Sequence, residues 1–190
     1  MIKSLDMENK NTQQEDHYNI DYYKSLEGRA ALEERQLGRL PIIDICGHPF
    51  FVNVRNGLLT AKDDFSTMGI EVNRIEMDPK TKDLSFYYHP PTRTQVFIAD
   101  DSTSLPKEVV LVTVPNLYFL DPYAMARVNG KEPLTYYIDD GIPLTMYSEA
   151  KVTPLEQTSL AATVKANQQK AAAKAQAPEK KQGKTRRKGL

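Results

Sequence analysis

Apolar residues recur along the chain with two different periods, and the first of them is helical. Over residues 21–37 the apolar side chains return every three to four positions, which places them on one face of an α-helix. Asp21 is the predicted N-cap of this helix, and Gly38 stands where a C-terminal cap belongs. The pattern therefore predicts an N-terminal helix that ends at a glycine.

From Pro41 onward the apolar period shortens to two, which is typical of β-strands. Asn56-Gly57 separates two apolar runs and predicts a hairpin turn, because both residues tolerate a positive φ. Further turns are predicted at 78–81 and 89–92. The predicted strands cover residues 42–46, 50–54, 58–60, 72–77, 84–88, 94–98, 108–114 and 144–152.

Capping signals predict two helices in the C-terminal half of the chain. Asp121 as the N-cap, Pro122 at the first helical position and Gly130 as the stop predict a short helix. Thr153 and Glu156 form a capping-box pattern, which predicts that a second helix begins there. The predicted apolar anchors of that second helix are Leu155, Leu160 and Val164.

Together these elements predict an α+β fold. We expect a small antiparallel β-meander or half-barrel with an N-terminal helix, a short capped helix and a long C-terminal helix running into a disordered tail. The predicted organisation is a disordered arm over 1–20, a single α+β domain over 21–164 and a basic Ala/Lys/Gln-rich tail over 165–190. Neither the arm nor the tail has the apolar pattern needed to build a core.

The formal net charge of zero hides a strong asymmetry between the domain and the tail. Residues 41–164 carry ten basic and sixteen acidic side chains, whereas residues 165–190 carry nine basic side chains against Glu179 alone. A basic tail on an acidic body points to a polyanionic partner, which the tail would contact through phosphates without base specificity. The competing interpretation is that the tail only solubilises the protein. The predicted nucleic-acid contacts are Lys180, Lys181, Lys184, Arg186, Arg187 and Lys188.

The stretch IDICGHPFFV raises the question of a catalytic or metal-binding cluster, because Cys46 stands two residues from His48. Zinc sites usually show paired Cys or His at short spacing, and the other histidines, His17 and His89, lie in the arm and in another turn. The sequence therefore predicts that Cys46 is a small buried apolar residue and that residues 47–49 form a bend. No catalytic residue, metal ligand or cofactor is predicted.

Two other groups of residues have a functional and a structural interpretation. The residues of 86–89, with Arg93 and Phe97, could form a platform for stacking bases. The favoured interpretation is that Phe86 and Tyr88 fill the core while Tyr87 is half exposed. Three acidic pairs lie beside turn residues, where carboxylates usually cap loops in water, although they could serve a metal-dependent enzyme. These pairs are Asp63-Asp64, Asp100-Asp101 and Asp139-Asp140.

Nothing in the sequence suggests secretion or a membrane. No stretch approaches the roughly 18 apolar residues that span a bilayer, and the N-terminus has no hydrophobic signal region. A single cysteine cannot form an internal disulfide. We therefore expect a cytoplasmic protein without a membrane partner.

The segments LPIIDICGHPFFV, EVVLVTVP and LDPYAMAR resemble an uncharacterised protein family encoded on bacterial mobile elements, over roughly residues 39–165. This resemblance implies a bacterial cytoplasmic setting among DNA-processing genes and brings no assigned activity. The first functional hypothesis is a non-enzymatic accessory or adaptor protein that binds a protein partner and touches DNA or RNA with its tail. The alternatives are a small metal-dependent hydrolase or nuclease that uses loop aspartates, and a toxin- or phage-related interaction protein whose tail is only a solubiliser.

Overall fold

The computed structural model of the protein describes residues 25–133 and 142–176. The helices are α1 (Leu26–Gln36), α2 (Leu117–Leu120), α3 (Pro122–Val128) and α4 (Ser159–Gln176). The strands are β1 (Ile42–Ile45), β2 (His48–Asn53), β3 (Leu58–Ala61), β4 (Ile70–Glu71), β5 (Leu84–His89), β6 (Thr94–Val96), β7 (Val110–Val114), β8 (Tyr147–Glu149) and β9 (Lys151–Pro154). Short 3₁₀ turns cover Val72–Arg74, Pro90–Thr92 and Leu155–Gln157.

The strands form two sheets whose buried faces share one core. The five-stranded sheet has the order β4-β3-β2-β1-β8, and the four-stranded sheet has the order β6-β5-β7-β9. Alternate residues of both sheets enter the same buried cluster, as a face-to-face arrangement of two pleated sheets requires. The predicted α+β class, with helices at both ends of the strand region, is confirmed. The fully buried side chains of this core include Ile43, Phe50, Val52, Leu59, Tyr88 and Val112.

The predicted strand over 144–152 is wrong in one respect, because this segment forms two strands in different sheets. β8 pairs with β1, in parallel, at the edge of the five-stranded sheet. After Ala150 the chain crosses over, and β9 pairs with β7 in the four-stranded sheet. This parallel pair departs from the expected antiparallel meander.

The predicted capping box at Thr153 is also wrong. Thr153 lies in β9 opposite Leu111, so its backbone belongs to the sheet rather than to a helix terminus. A 3₁₀ turn follows, and α4 begins only at Ser159. Sheet pairing has therefore prevailed over a local helix-start signal.

Two other predicted boundaries are corrected near the N-terminal half of the domain. The N-cap of α1 is Ser25, whose hydroxyl accepts a hydrogen bond from Gly28 N at 3.1 Å, while Asp21 lies outside the described residues. No strand forms over 72–77 as expected. The segment begins with a 3₁₀ turn and continues as extended chain, and the short strand β4 lies just before it. Val72 N donates to the carbonyl oxygen of Gly57 at 2.9 Å, which holds this segment against the hairpin of β2 and β3.

The predicted hairpin at Asn56-Gly57 and the predicted bend at 47–49 both form, but their turn residues differ from the expectation. At Asn56-Gly57 only Gly57 has a positive φ, of 63°. The tight two-residue turn with two positive φ angles lies instead at Cys46 and Gly47, with values of 57° and 81°. The Asp44 carboxylate accepts a hydrogen bond from Gly47 N at 2.7 Å and stabilises this turn. The bend is therefore at 46–47, and His48 is already the first residue of β2.

Candidate protein-binding groove

The outer face of the five-stranded sheet carries apolar side chains as well as the inner face. Ile43 and Phe50 are opposite one another and fully buried in the core. Their neighbours Ile42 and Phe51 are also opposite one another and, because successive side chains alternate across a strand, point to the outer face. There they are only partly buried. The Ile-Ile and Phe-Phe doublets thus place apolar side chains on both faces of the same two strands.

These outer residues form the floor of a groove beside the C-terminal end of α1, and we call it the outer groove. Its volume is about 590 Å³. The floor is apolar, whereas the rim carries charged side chains from α1, from the segment that follows α1 and from the residue that follows β3. The lining residues are Glu34, Arg39, Leu40, Ile42, Phe51, Lys62 and Met146.

The charged rim of the outer groove is built from exposed side chains. Nη1 of Arg39 lies 2.6 Å from Oε2 of Glu34, and both side chains remain accessible to water. Nζ of Lys62 lies 5.9 Å from the centre of the Phe51 ring, in cation–π contact with the floor. Exposed pairs of this kind contribute little to folding. These charged side chains therefore border the groove and remain accessible to solvent.

The edge strand β8 extends the outer face beyond the groove. Tyr147 is the partner of Ile42 in the sheet and is 57% exposed. Glu149 is the partner of Asp44 two residues further along the strands, on the same face, so two carboxylates lie near the tyrosine. Partial desolvation, followed by the charges of Asp44 and Glu149, raises the pKa of Tyr147. The phenol is therefore a neutral hydrogen-bond donor at physiological pH.

Cys46 and His48 do not form a catalytic pair. Cys46 is partly buried at the tip of the β1–β2 hairpin and packs against the core, rather than lying fully inside it as expected. Burial, and next the Asp44 carboxylate, raise the pKa of the thiol, so it is protonated at neutral pH. Nδ1 of His48 lies 3.2 Å from the hydroxyl of Tyr88, a buried core residue. The histidine is thus engaged with the core and does not activate the thiol as a nucleophile.

The side chains of Asp63 and Asp64 have different hydrogen-bond partners, and the other described aspartate pair lies on another loop. Asp63 accepts a hydrogen bond from Nη1 of Arg93 at 2.6 Å. Asp64 accepts hydrogen bonds from the hydroxyl and the backbone N–H of Ser66, which lower the pKa of its carboxyl group. The pair 100–101 is exposed on another loop, and the pair 139–140 lies outside the described residues. Within residues 25–133 and 142–176, no group of three His, Cys, Asp or Glu side chains is arranged to hold a metal ion.

The aromatic residues of β5 serve the core, as the favoured interpretation predicted. Phe86 and Tyr88 are buried, and burial raises the pKa of the Tyr88 phenol. Tyr87 is partly buried and packs toward α4. Arg93 is engaged with Asp63, and Phe97 is 87% exposed. These side chains therefore do not form one continuous platform for stacking bases.

The six predicted nucleic-acid contacts, from Lys180 to Lys188, lie outside the described residues. The preceding residues of the predicted tail are helical, since α4 continues to Gln176. Asn167 donates hydrogen bonds to the carbonyl oxygens of Asp100 and Ser102, at 2.8 and 3.1 Å. The first part of the predicted tail is thus docked on the domain. Lys165, Lys170 and Lys174 are exposed along this helix.

Sequence reasoning did not identify the outer groove, although a signal was present. A strand with one solvated face alternates apolar and polar residues, whereas strands covered on both faces read as continuous apolar runs. Ile42-Ile43 and Phe50-Phe51 break the alternation in two strands that are neighbours in the sheet. Such doublets are typical of strands whose second face is also at least partly covered.

Comparisons with protein-family models, with curated proteins and with solved structures give no match for this chain. The resemblance to a family of bacterial mobile elements therefore stays a prediction. The described helices include none that is both long enough and apolar enough to cross a membrane. Function has to be inferred from the geometry of the domain and the charge of the tail.

Proposed function

We propose that this protein is a non-enzymatic accessory or adaptor protein that binds a protein partner through the outer groove. The observation that carries the proposal is the uneven cover of the five-stranded sheet. Ile42 and Phe51 are apolar residues of central strands, yet a groove of about 590 Å³ remains above them. An apolar floor with a polar rim is the usual anatomy of a protein interface.

The groove suits a partner segment that inserts apolar side chains between charged flanks. Aromatic and Met side chains, such as Phe51 and Met146, are enriched at the energetic centres of interfaces. The rim offers both signs of charge, because Glu34 and Arg39 lie on one side and Lys62 lies over the floor. Charges at the rim favour correct orientation of the partner more than they add affinity.

The same proposal assigns the basic tail to nonspecific contact with DNA or RNA. Residues 165–190 carry nine basic side chains and one acidic side chain, whereas residues 41–164 have a net charge of −6. The acidic body would disfavour collapse of the whole domain onto nucleic acid. Binding by the tail would arise from counterion release and would not depend on base sequence.

The groove is tested by comparing two Phe→Ser substitutions in affinity purification. Phe51→Ser removes the aromatic side chain from the apolar floor, and Phe97→Ser is the matched control because Phe97 is 87% exposed outside the groove. We expect a partner that survives nuclease treatment to be retained by wild type and by Phe97→Ser and lost with Phe51→Ser. Lys62→Glu provides a second groove variant that leaves the sheet packing intact. Equal retention by all variants would contradict the groove proposal.

The tail is tested by truncation after residue 177. This removes six basic side chains and Glu179, and the melting temperature should barely move because no described core residue is lost. Binding to duplex or single strands should show little sequence preference, with a log–log salt slope smaller by up to about five in the truncated protein. Equal binding by both proteins, or no binding at low salt, would leave the tail a solubiliser.

The alternative of a hydrolase or nuclease gains no support from the described aspartates. Asp63 is paired with Arg93, and Asp64 caps the turn at Ser66. A metal-assisted mechanism needs several carboxylates that converge on one point. These two side chains instead have separate partners.

A further inference from the structure

Three arginines from three separate elements line one cleft beside α3, and we call it the arginine cleft. Arg35 comes from α1, Arg55 from the turn between β2 and β3, and Arg127 from the last turn of α3. The cleft has a volume of about 380 Å³, and its other lining residues are Ala124 and Val128. No carboxylate is among these lining residues.

Arg35 forms the rigid floor of the arginine cleft. Its side chain is 7% exposed, and its Nε and Nη2 atoms donate to the two carboxylate oxygens of Asp121 at 3.1 and 2.9 Å. Nη1 donates to the carbonyl oxygen of Arg39 at 2.7 Å. A guanidinium group has five N–H donors, so two of them are left after these three bonds. The guanidinium is therefore held in one orientation with donors to spare.

Arg55 and Arg127 line the cleft without a charged partner among the described residues. Both side chains are exposed, and neither forms an ion pair or a side-chain hydrogen bond within the part of the chain that the structure describes. By contrast, Arg39, Arg74 and Arg93 each pair with a carboxylate. Two like charges on one cleft disfavour each other, and no carboxylate among the described residues offsets Arg55 and Arg127 there.

From this arrangement we propose that the arginine cleft binds a phosphate monoester. The planar guanidinium fork matches phosphate oxygens in a bidentate manner. A phosphate monoester carries about −1.5 to −2 charges at pH 7, close to the charge of the two unpaired guanidinium groups, whereas a carboxylate carries only one. The phosphate is either free or the 5′ end of a nucleic-acid strand. The proposal does not depend on the outer groove or on the tail, because it uses other residues.

The test uses the full chain and two double variants that each remove two positive charges. Arg55→Ala/Arg127→Ala empties the mouth of the cleft, and Lys170→Ala/Lys174→Ala is the matched control on the exposed helix α4. Inorganic phosphate is titrated into each protein by calorimetry at low salt. We expect one site per chain, weakened at least about ten-fold in the arginine variant and unchanged in the control.

Binding of a single-stranded oligonucleotide with and without a 5′-phosphate distinguishes the two possible sources of the phosphate. Tail binding is common to both oligonucleotides, so only their difference reports on the cleft. A gain in affinity from the 5′-phosphate that disappears in Arg55→Ala/Arg127→Ala supports the end of a strand. Binding of inorganic phosphate without any such gain supports a free phosphate compound. Absent phosphate binding, or equal weakening in both double variants, would overturn the proposal.

Discussion

The two sheets of this protein bury their inner faces in the same core but differ in what lies on their outer faces. The outer face of the four-stranded sheet is covered in large part by α4 and the turn before it, through Leu155, Leu160 and Val164, and keeps a smaller cavity of about 380 Å³ beside Phe97. The outer face of the five-stranded sheet is bordered by α1 and keeps the outer groove above Ile42 and Phe51. A covered face contributes to stability, whereas an exposed apolar face with a groove is, under the proposed function, where a partner binds.

The two bordering helices are also attached by different forces. The first turns of α4 insert apolar side chains into a buried cluster against β5 and β7. α1 is attached by Arg35, which forms a buried ion pair with Asp121 and lies 5.2 Å from the centre of the Tyr123 ring. Buried ion pairs contribute more to the position of an element than to net stability. A helix that is positioned in this way can flank a groove without filling it.

The largest effect is expected when the ion pair under α1 is broken. Asp121→Ala leaves Arg35 buried without its partner and also removes the N-cap acceptor of α3, which receives a hydrogen bond from Ala124 N at 3.1 Å. We expect a loss of about 3–5 kcal/mol in the free energy of unfolding, measured by urea denaturation. The control is Glu34→Ala, which breaks the exposed pair with Arg39 and should cost at most about 0.5 kcal/mol. Similar losses in the two variants would show that polar attachment of α1 is unimportant.

The next effect concerns the covered face. Leu160 is 8% exposed in the cluster between α4 and the four-stranded sheet. Leu160→Ala should lower the free energy of unfolding by about 2–4 kcal/mol, because it removes buried methyl groups and leaves a cavity. Relative to wild type, hydrogen exchange in this variant should accelerate more in α4 than in β1 and β2. A loss below that of Phe51→Ser would reverse the comparison between the two faces.

A smaller stability effect, with a larger effect on binding, is expected on the face that carries the groove. Phe51 is only partly buried and contacts Lys62 at the rim. Phe51→Ser should cost about 1–2 kcal/mol of stability, since less apolar area returns to water than at a core position. Chemical denaturation of Phe51→Ser and Leu160→Ala under the same conditions gives the two losses in the free energy of unfolding for direct comparison. A cost as large as that of Leu160→Ala would mean that the outer face is part of the folding core.

The smallest effect is expected in the part of α4 beyond its last buried apolar residue, Val164, where polar contacts hold the helix on the domain. Asn167 Nδ2 donates to the carbonyl oxygens of Asp100 and Ser102 across the loop that precedes β7. Asn167→Ala should cost about 0.5–1.5 kcal/mol, the usual net value of such hydrogen bonds. The change should be confined to amide exchange in 99–103 and in the second half of α4. Unchanged exchange in both segments would place the end of docking at Val164.

Elements specified by neighbouring residues could be predicted from the sequence. Asp121 was expected to cap α3, and its carboxylate accepts the predicted hydrogen bond from Ala124 N. Gly38 was expected to end α1, and it has a φ of 84°. Phe86 and Tyr88 were expected in the core and are buried there. Caps, turns and strand periods act over a few residues, so the sequence displays them directly.

Features that depend on distant segments were decided only by the tertiary structure. Arg35 and Asp121 are 86 positions apart, and nothing local to either residue indicates that they form a buried pair. Thr153 has a helix-start signal, yet pairing with Leu111 draws it into β9. The apolar doublets at 42–43 and 50–51 were visible in the sequence, but the groove exists because none of the described helices covers them fully. Local propensities differ by about 1 kcal/mol per residue, whereas packing between segments buries several side chains at once and therefore prevails where the two conflict.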